Sequence, residues 1–477
     1  MLEPYSLGRR VCFHGDLDRL GELRGVRRMW GQPVKHLENP IMGPETPLEA
    51  GGAGTCASVM RDVETDGFRM WYMVTADPPV GGVCAQPLAY ATSKDGLSWE
   101  RPELGLVEHR GSRRNNLIYA SEGKGVSSPG ILREDDDPDP ERRYKMFYCT
   151  QAWRPDTGAK TASDCRVAFS PDGVRWTPYA NNPVLPILSD ARHCVFRDPR
   201  TGRYVCFVRL RIDGEGRLYY RHGDRITPDH LRCVGRVESE DFIRWTEPEL
   251  VIAPGAWTSP GDQYYSMTAF PYEGAYLGLL LVYHRYAPNY GYLEEQLVYS
   301  DDSVHWRPAG NGLFLPSGPP GAWDAGCVGA GPNVVMLEDR ILFYYTGTPR
   351  SHGGGGPASA PPTALGLATL RRDGFAYLQP PWHEGVFVTH PFSTGEEELH
   401  LNASAVGGEV SAAVLGEDRK PLPGYAHEDC APARWDGIDQ VLRWRGRERL
   451  PSGAEVRLEL RLRDAILFSF WTGDAGR

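Results

Sequence analysis

Short apolar runs, each closed by a cluster of Asp, Gly, Pro or Asn, recur along most of this chain. Between about residues 55 and 345 they come as pairs separated by a turn: 58–62 with 68–72, 130–133 with 144–148, 194–198 with 204–207, 267–270 with 276–280, and 333–336 with 341–345. Runs of that length bounded by turn residues predict β-strands. A third apolar strand follows each of the first four pairs and ends in Ser-x-Asp-x-x-x-Trp. The copies run from Ser93 to Trp99, Ser170 to Trp176, Ser239 to Trp245 and Ser300 to Trp306. A degenerate fifth, 370–375, lacks the tryptophan.

The tryptophans recur at intervals of 77, 69 and 61 residues, too long for a hairpin and suited to a four-stranded unit with variable loops. Asp and Gly make the turn, and Trp opens the next strand. Five such units predict an all-β chain whose main body is a five-bladed β-propeller, with the first strand of each blade lining a central channel. After about residue 385 the repeat gives way to period-two strands (399–403, 409–415, 440–444, 456–462) and a closing run, 465–470, which predict a small C-terminal β-sandwich. The division read from the sequence is a lead segment 1–36, a propeller 37–384 and a sandwich 385–477. The early strand 9–13 either completes a late blade or pads the sandwich.

Composition agrees with many short strands and tight turns: 55 Gly, 40 Pro and 11% aromatic residues in 477. The net charge of −10, with both signs mixed along the chain, offers no basic face to nucleic acid or to an anionic membrane. No basic segment leads into an apolar run at the start, and no run is long enough to cross a bilayer, so a cytoplasmic location is expected. Ten cysteines stand singly, without a Cys-x-x-Cys pair, and read as reduced thiols packed as small hydrophobes.

In an antiparallel blade the start of the first strand, the end of the second and the start of the third reach one face, so residues there converge on the channel mouth. Before the first strands stand Glu49, Ser127 and Ser128, Asp190 and His193, Asp262 with Tyr264 and Tyr265, and Trp323 with Asp324. Second-strand ends add Arg209 and His284, with His352 in the next loop, and third-strand starts add Asp164 and Glu294. Carboxylates around one pocket, with His and Arg between them, are what glycosidic cleavage needs: one acid protonates the departing oxygen while a second serves as nucleophile or base. Crowding drives carboxylate pKa values apart, so that one stays protonated. Asp190 and Asp262 are the pair expected to react, with Glu49, Asp324 and Glu294 in reserve. His193, Arg209, His284, Asp164, Tyr264, Tyr265, Trp257 and Trp323 are expected to bind sugar. Against this stands a structural reading in which an Asp before a strand only shapes a turn, His193 and His284 are packing residues, and Glu294 is solvated. The motif aspartates Asp95, Asp172, Asp241 and Asp302 read as turn residues, and the acidic run 134–137 as a solvated loop. No cofactor is expected. An oxygen-rich channel is able to hold calcium, but no ligand spacing argues for it.

The blade repeat, the entry Glu38-Asn39-Pro40-Ile41 and the Ser-x-Asp-Gly-x-x-Trp strands resemble the five-bladed propeller glycosidases, the invertase-like family 32 and the arabinanase-like family 43, with the mannoside phosphorylases as cousins. More narrowly, Tyr90-Ala91-Thr92-Ser93-Lys94-Asp95-Gly96 followed by Trp99-Glu100-Arg101-Pro102 and Asn115-Asn116-Leu117-Ile118 is similar to a bacterial family 32-like branch that carries a C-terminal sandwich. The resemblance covers roughly residues 35 to 380. It implies a glycoside hydrolase acting on a furanoside or pyranoside. Arg197-Asp198-Pro199 looks like one invertase motif, but the repeat puts it in the turn after a first strand, at the opposite end of the blade. The invertase-type Asn-Asp-Pro-Asn segment and Glu-Cys pair are absent from the sequence. Two other expectations stand beside hydrolysis. One is a phosphorylase, favoured if Arg209, His193 and His284 gather as an anion site near one acid; the other is a sugar-binding propeller without catalysis.

Overall fold

The computed structural model describes residues 10–75, 86–120, 125–153, 160–187, 189–219, 230–255, 258–286, 291–352 and 362–473. The described chain is all-β, built of small antiparallel sheets; its only helical segments are three short 3-10 turns. Among the described residues no helix is long and apolar enough to cross a membrane.

Five blade-like units follow one another. The first is Thr55–Asp62, Gly67–Met73, Leu88–Ser93 and Leu117–Tyr119, paired in that order. The second is Gly125–Arg133, Tyr144–Trp153, Lys160–Ser170 and Thr177–Pro178, and the third Cys194–Arg197, Tyr204–Ile212, Leu231–Ser239 and Glu249–Ile252. The fourth is Asp262–Tyr272, Ala275–His284, Tyr292–Ser300 and Trp306–Leu315. The fifth takes Cys327–Ala330, Val335–Met336, Arg340–Thr348 and Ala364–Arg371 from its own segment, and its outer strand, Val34–Lys35, from near the N-terminus.

Alternation along each strand sends neighbouring side chains to opposite faces, so every unit packs on two neighbours. Phe147 joins Val195, Cys206 and Val208 of the third unit, while the adjacent Met146 and Tyr148 join Trp71 and Tyr90 of the first. Apolar cores likewise fill the junctions of the third and fourth, fourth and fifth, and fifth and first units. The first strand, Thr55–Asp62, also touches strands of both the second and the fifth units, so the contacts run in a ring.

The motif turns have a common construction. In each complete copy the Ser Oγ donates to the Asp Oδ1, and that oxygen accepts the backbone N–H groups two and three residues on. The residue after the Asp has positive φ: Gly96 (+77°), Gly173 (+76°), Phe242 (+65°) and Ser303 (+64°). These aspartates are turn residues. The acidic run is solvated only in part: Asp135 and Asp136 are exposed, whereas Glu134 and Asp137 both bond the ammonium of the buried Lys145, at 2.6 and 2.7 Å, and Tyr204 donates to Glu134. A buried ammonium needs such partners.

Strands after residue 375 form two further sheets that share one apolar core. The N-terminal segment is woven into them: Val11–Cys12 pairs with Ile466–Gly473, Gly21–Arg24 with Glu384–Thr389, and Arg27–Trp30 with Ala376–Gln379. The early strand therefore joins the C-terminal sheets, and the fifth unit is completed by Val34–Lys35 instead. None of the nine cysteines among the described residues is in a disulfide, and eight of them are buried.

Candidate functional site

A cavity of about 480 Å³ lies where the five units meet. Thr55 and Cys56, Ser127 and Ser128, Asp190 to Arg192, Tyr265 and Ser266, and Cys327 to Ala330 bring all five to its wall, and Arg350 and His352 close one side. Three of the inner strands are irregular there. The pairing register shifts between Thr55 and Ser58, opposite Phe147 to Cys149, and between Tyr264 and Ser266. Cys56 (φ +48°) and Ser128 (φ +53°) hold left-handed backbone, which costs a non-glycine residue of order 1 kcal/mol. Bulges of this kind re-aim side chains at sites. Tyr265 is the extra residue of its bulge and lines the cavity, whereas Tyr264 before it packs in the core between the third and fourth units.

Asp190 is the one Asp or Glu among the described lining residues. Its Oδ1 accepts from Arg209 Nη1 at 2.6 Å and from Arg211 Nη2 at 3.3 Å. Arg209 is buried, donates through Nε to the Tyr265 carbonyl, and stacks 3.8 Å above the Tyr265 ring. Arg232 adds a third guanidinium, bonded to Gln263 and lying 5.4 and 5.6 Å from the Tyr265 and Tyr283 ring centres. Burial, then the charge of Arg209, pushes the Arg232 pKa down to about 10. His352 packs edge-on against Tyr265 and Tyr283, and burial followed by Arg232 and Arg209 holds its pKa at about 4, so it is neutral at pH 7. Deeper in, Arg192 is neutralised by the buried Glu295 at 2.7 Å.

The other expected residues have different surroundings. Asp262 and Glu294 clasp His284, at 2.7 Å from Nδ1 and 3.2 Å from Nε2, and Tyr292 stacks on the imidazole at 4.4 Å. Strand pairing puts Asp262, His284, Tyr264, Val282 and Glu294 on one face of the fourth unit and Tyr283 and Leu293 on the other; Leu293 lines the cavity. Asp324 accepts from Lys35 Nζ at 2.6 Å and from Tyr345, and Trp323 stacks on Tyr345 over Gly347 and Gly366, where a Cβ would meet its ring. Glu49 is buried with Tyr72, Arg101 and two backbone N–H groups. His193, fully buried, bonds the Ser128 carbonyl and Ser189 Oγ, and burial lowers its pKa to about 4. Asp164 accepts from Thr150 and Arg166. Asp198, of the invertase-like triplet, serves its own turn and the Tyr276 hydroxyl. Trp257 lies outside the described residues. Among the described residues no group of three or more His, Cys, Asp or Glu side chains is placed to hold a metal ion.

Burial alone would lower the His284 pKa, but the bond to Glu294 and the charge and bond of Asp262 outweigh it and raise it. A raised histidine pKa contributes stability below the unfolded value of about 6.5, and this is lost as pH rises through the folded value. The gap in thermal midpoint between wild type and His284→Gln is therefore expected to be wider near about pH 6 than near about pH 9. A gap that does not change with pH would show that the imidazole does not carry the proton.

Sequence reasoning missed Arg211, Arg232 and Arg350. The available signal was Arg209-x-Arg211, two cations on one face of an otherwise buried strand.

No protein-family model matches the chain, and no curated protein matches it. Several solved structures are similar. A glycosyl hydrolase from Bacteroides ovatus has 14% identity and a TM-score of 0.44, with 72% of this chain and 94% of that one covered. A Bombyx mori GH32 beta-fructofuranosidase has 12% identity and a TM-score of 0.41, with 93% of each chain covered. An N-acetylgalactosamine deacetylase from F. plautii, in complex with blood group B trisaccharide, has 16% identity and a TM-score of 0.44, with 74% and 97% covered.

Proposed function

We propose that the five units close into a five-bladed β-propeller, that the C-terminal sheets and the N-terminal strands make a β-sandwich beside it, and that the chain is a carbohydrate-active enzyme cleaving a glycosidic bond in the central cavity. The ring of contacts and the five apolar junctions support the closed propeller. The observation that carries the chemistry is Asp190, the one carboxylate among the described residues lining a cavity to which every unit contributes. Two guanidinium groups favour its charged form, the form a nucleophile or a base for water needs. The Tyr265 ring beside it offers a face for a sugar.

A phosphorylase is the second reading, and one observation favours it. Arg209, Arg211 and Arg232, rather than Arg209 with His193 and His284, gather near a single acid, and an anion bound there would itself serve as the nucleophile. Incubating the purified chain with a panel of furanosides and pyranosides, with and without inorganic phosphate, separates the readings. Release of reducing sugar in phosphate-free buffer is expected. Turnover that strictly requires phosphate would replace hydrolysis by phosphorolysis, and saturable binding with no turnover in either buffer would leave a sugar-binding propeller.

A further inference from the structure

Trp382 and Trp435 are the two exposed tryptophans among the described residues, at 81% and 58%, and both belong to the C-terminal sheets. An indole left in water forgoes the stabilisation its burial gives, so an exposed ring at the edge of a concavity marks a binding surface. The concavity is a cleft of about 500 Å³ formed by three turns. Trp382 and His383 come from the turn after Ala376–Gln379, Val406 from the turn after Glu398–Ser404, and Asp464 from the turn after Glu455–Arg463. The turns are fixed to one another. Asp464 N–H donates to the His383 carbonyl at 2.8 Å, His383 Nδ1 lies 3.0 Å from Asp464 Oδ1, and a Cβ at Gly408 would strike the carbonyls of Arg463 and Asp464. The Trp435 carbonyl accepts from Ala405 N–H, next to Val406.

The cleft continues onto a sheet face. Leu378 and Leu467 are paired and lie in the core, so Tyr377, Gln379, Ile466 and Phe468 point away from it. Gln379 and Ile466 line the cleft. Tyr377 and Phe468, one pleat repeat or about 7 Å further on, line a second cavity of about 790 Å³ against the fourth and fifth units, with ring centres 5.4 Å apart. Gln379 and Ser404 offer donors and acceptors to the cleft, and their side chains bond no other described residue. The charged groups nearby are already matched within the chain: Arg371 with Asp436, Arg463 with Glu384, and Arg434 with Glu409. A wall of this composition has no free charge for an ion and suits an uncharged ligand with apolar faces and hydroxyl edges.

We propose, resting on the carbohydrate reading above, that the C-terminal sheets bind an uncharged polysaccharide chain in this groove. The C–H face of one sugar stacks on Trp382 while its hydroxyls bond Gln379, Ser404 and the exposed His383–Asp464 pair, and the chain runs on toward Tyr377 and Phe468. The groove shares no lining residue with the central cavity, so it holds polymer to the protein without occupying the site beside Asp190.

The test is affinity electrophoresis of the full chain in native gels containing arabinan, galactomannan or inulin, with polygalacturonate as the charged chain. At least one neutral polysaccharide is expected to retard the wild type. Trp382→Ala is expected to raise the apparent Kd about tenfold or more, and Trp382→Tyr, which keeps a ring, by less. Because Trp382 is exposed, neither variant removes core packing. Asp190→Asn is expected to be retarded as the wild type is. Equal retardation of wild type and Trp382→Ala overturns the proposal, and so does retardation by polygalacturonate alone or by no polysaccharide. A wild type that sediments as a dimer, with Trp382→Ala a monomer, would give the surface to a second copy and overturn it too. Trp382-dependent retardation without turnover of any glycoside would remove the enzymatic reading and leave this site standing. Turnover of small glycosides with no retardation would do the reverse.

Discussion

Asp190→Asn is expected to lower kcat/KM for the glycoside that the wild type turns over by about 10²–10⁴-fold, the range lost when a positioned carboxylate no longer takes part in the chemistry. The amide has the same shape and still offers one carbonyl oxygen to Arg209 Nη1, which wild type holds at 2.6 Å, so the arginines keep a partner while the negative charge disappears. Both possible roles of Asp190, nucleophile and base, need that charge. Binding should suffer less than turnover, because Tyr265 and the rest of the wall are untouched. Some stability is lost as well, since Arg209 is buried and loses its counter-charge. The loss should stay below the roughly 3–5 kcal/mol of a fully enclosed pair, as Asp190 retains 19% side-chain exposure. Rates are therefore to be compared well below the variant's thermal midpoint. An unchanged kcat/KM there would remove Asp190 from the reacting centre and with it the main support for catalysis in this cavity.

What could be read from the sequence is what short-range chemistry determines. The Ser-x-Asp-x-x-x-Trp turns are closed by bonds spanning two or three residues, as Ser93, Asp95, Leu97 and Ser98 show, so a repeat in the text becomes a repeat in space. Asp190 could be picked out because it stands just ahead of a first strand. The arginine cluster could not, because Arg211 and Arg232 meet only through the register of a ladder joined by a long connection. Two-residue strands such as Val11–Cys12 and Val34–Lys35 carry no periodicity, so their partners, in the C-terminal sheets and the fifth unit, are set by tertiary packing alone. Glu134 and Asp137 read as solvated because Lys145, the buried cation that needs them, sits on the following strand.

The degenerate fifth motif is expected to be the most damaging place to lose a single carboxylate, with Asp373→Ala costing about 3–5 kcal/mol. Aligned by strand pairing, Asp373 (φ +62°) stands where Gly96 stands in the first copy, so it is the left-handed residue of the turn and not the counterpart of Asp95. Its carboxylate is buried and accepts from Ser469 at 2.5 Å, Tyr272 at 2.6 Å, Arg10 at 3.0 Å and Asn402 at 3.3 Å. Those partners belong to two strands of the C-terminal sheets, the fourth unit and the N-terminal segment, so one side chain joins three parts of the chain. Burial would raise the Asp373 pKa, but Ser469, Tyr272 and Arg10 outweigh it and the value is lowered. A depressed carboxylate contributes stability above its unfolded pKa of about 3.9 and loses it as pH falls through the folded value. Denaturant unfolding at neutral pH should show the full loss for Asp373→Ala, and the gap from wild type should close only in strong acid. Alanine removes the acceptor while Tyr272 and Ser469 remain enclosed, so the cost combines a lost ion pair with stranded hydroxyls. Asp373→Asn, which keeps one acceptor oxygen, should lose less. A loss under about 1 kcal/mol for the alanine variant would mean that this carboxylate is not what holds the C-terminal sheets to the five units.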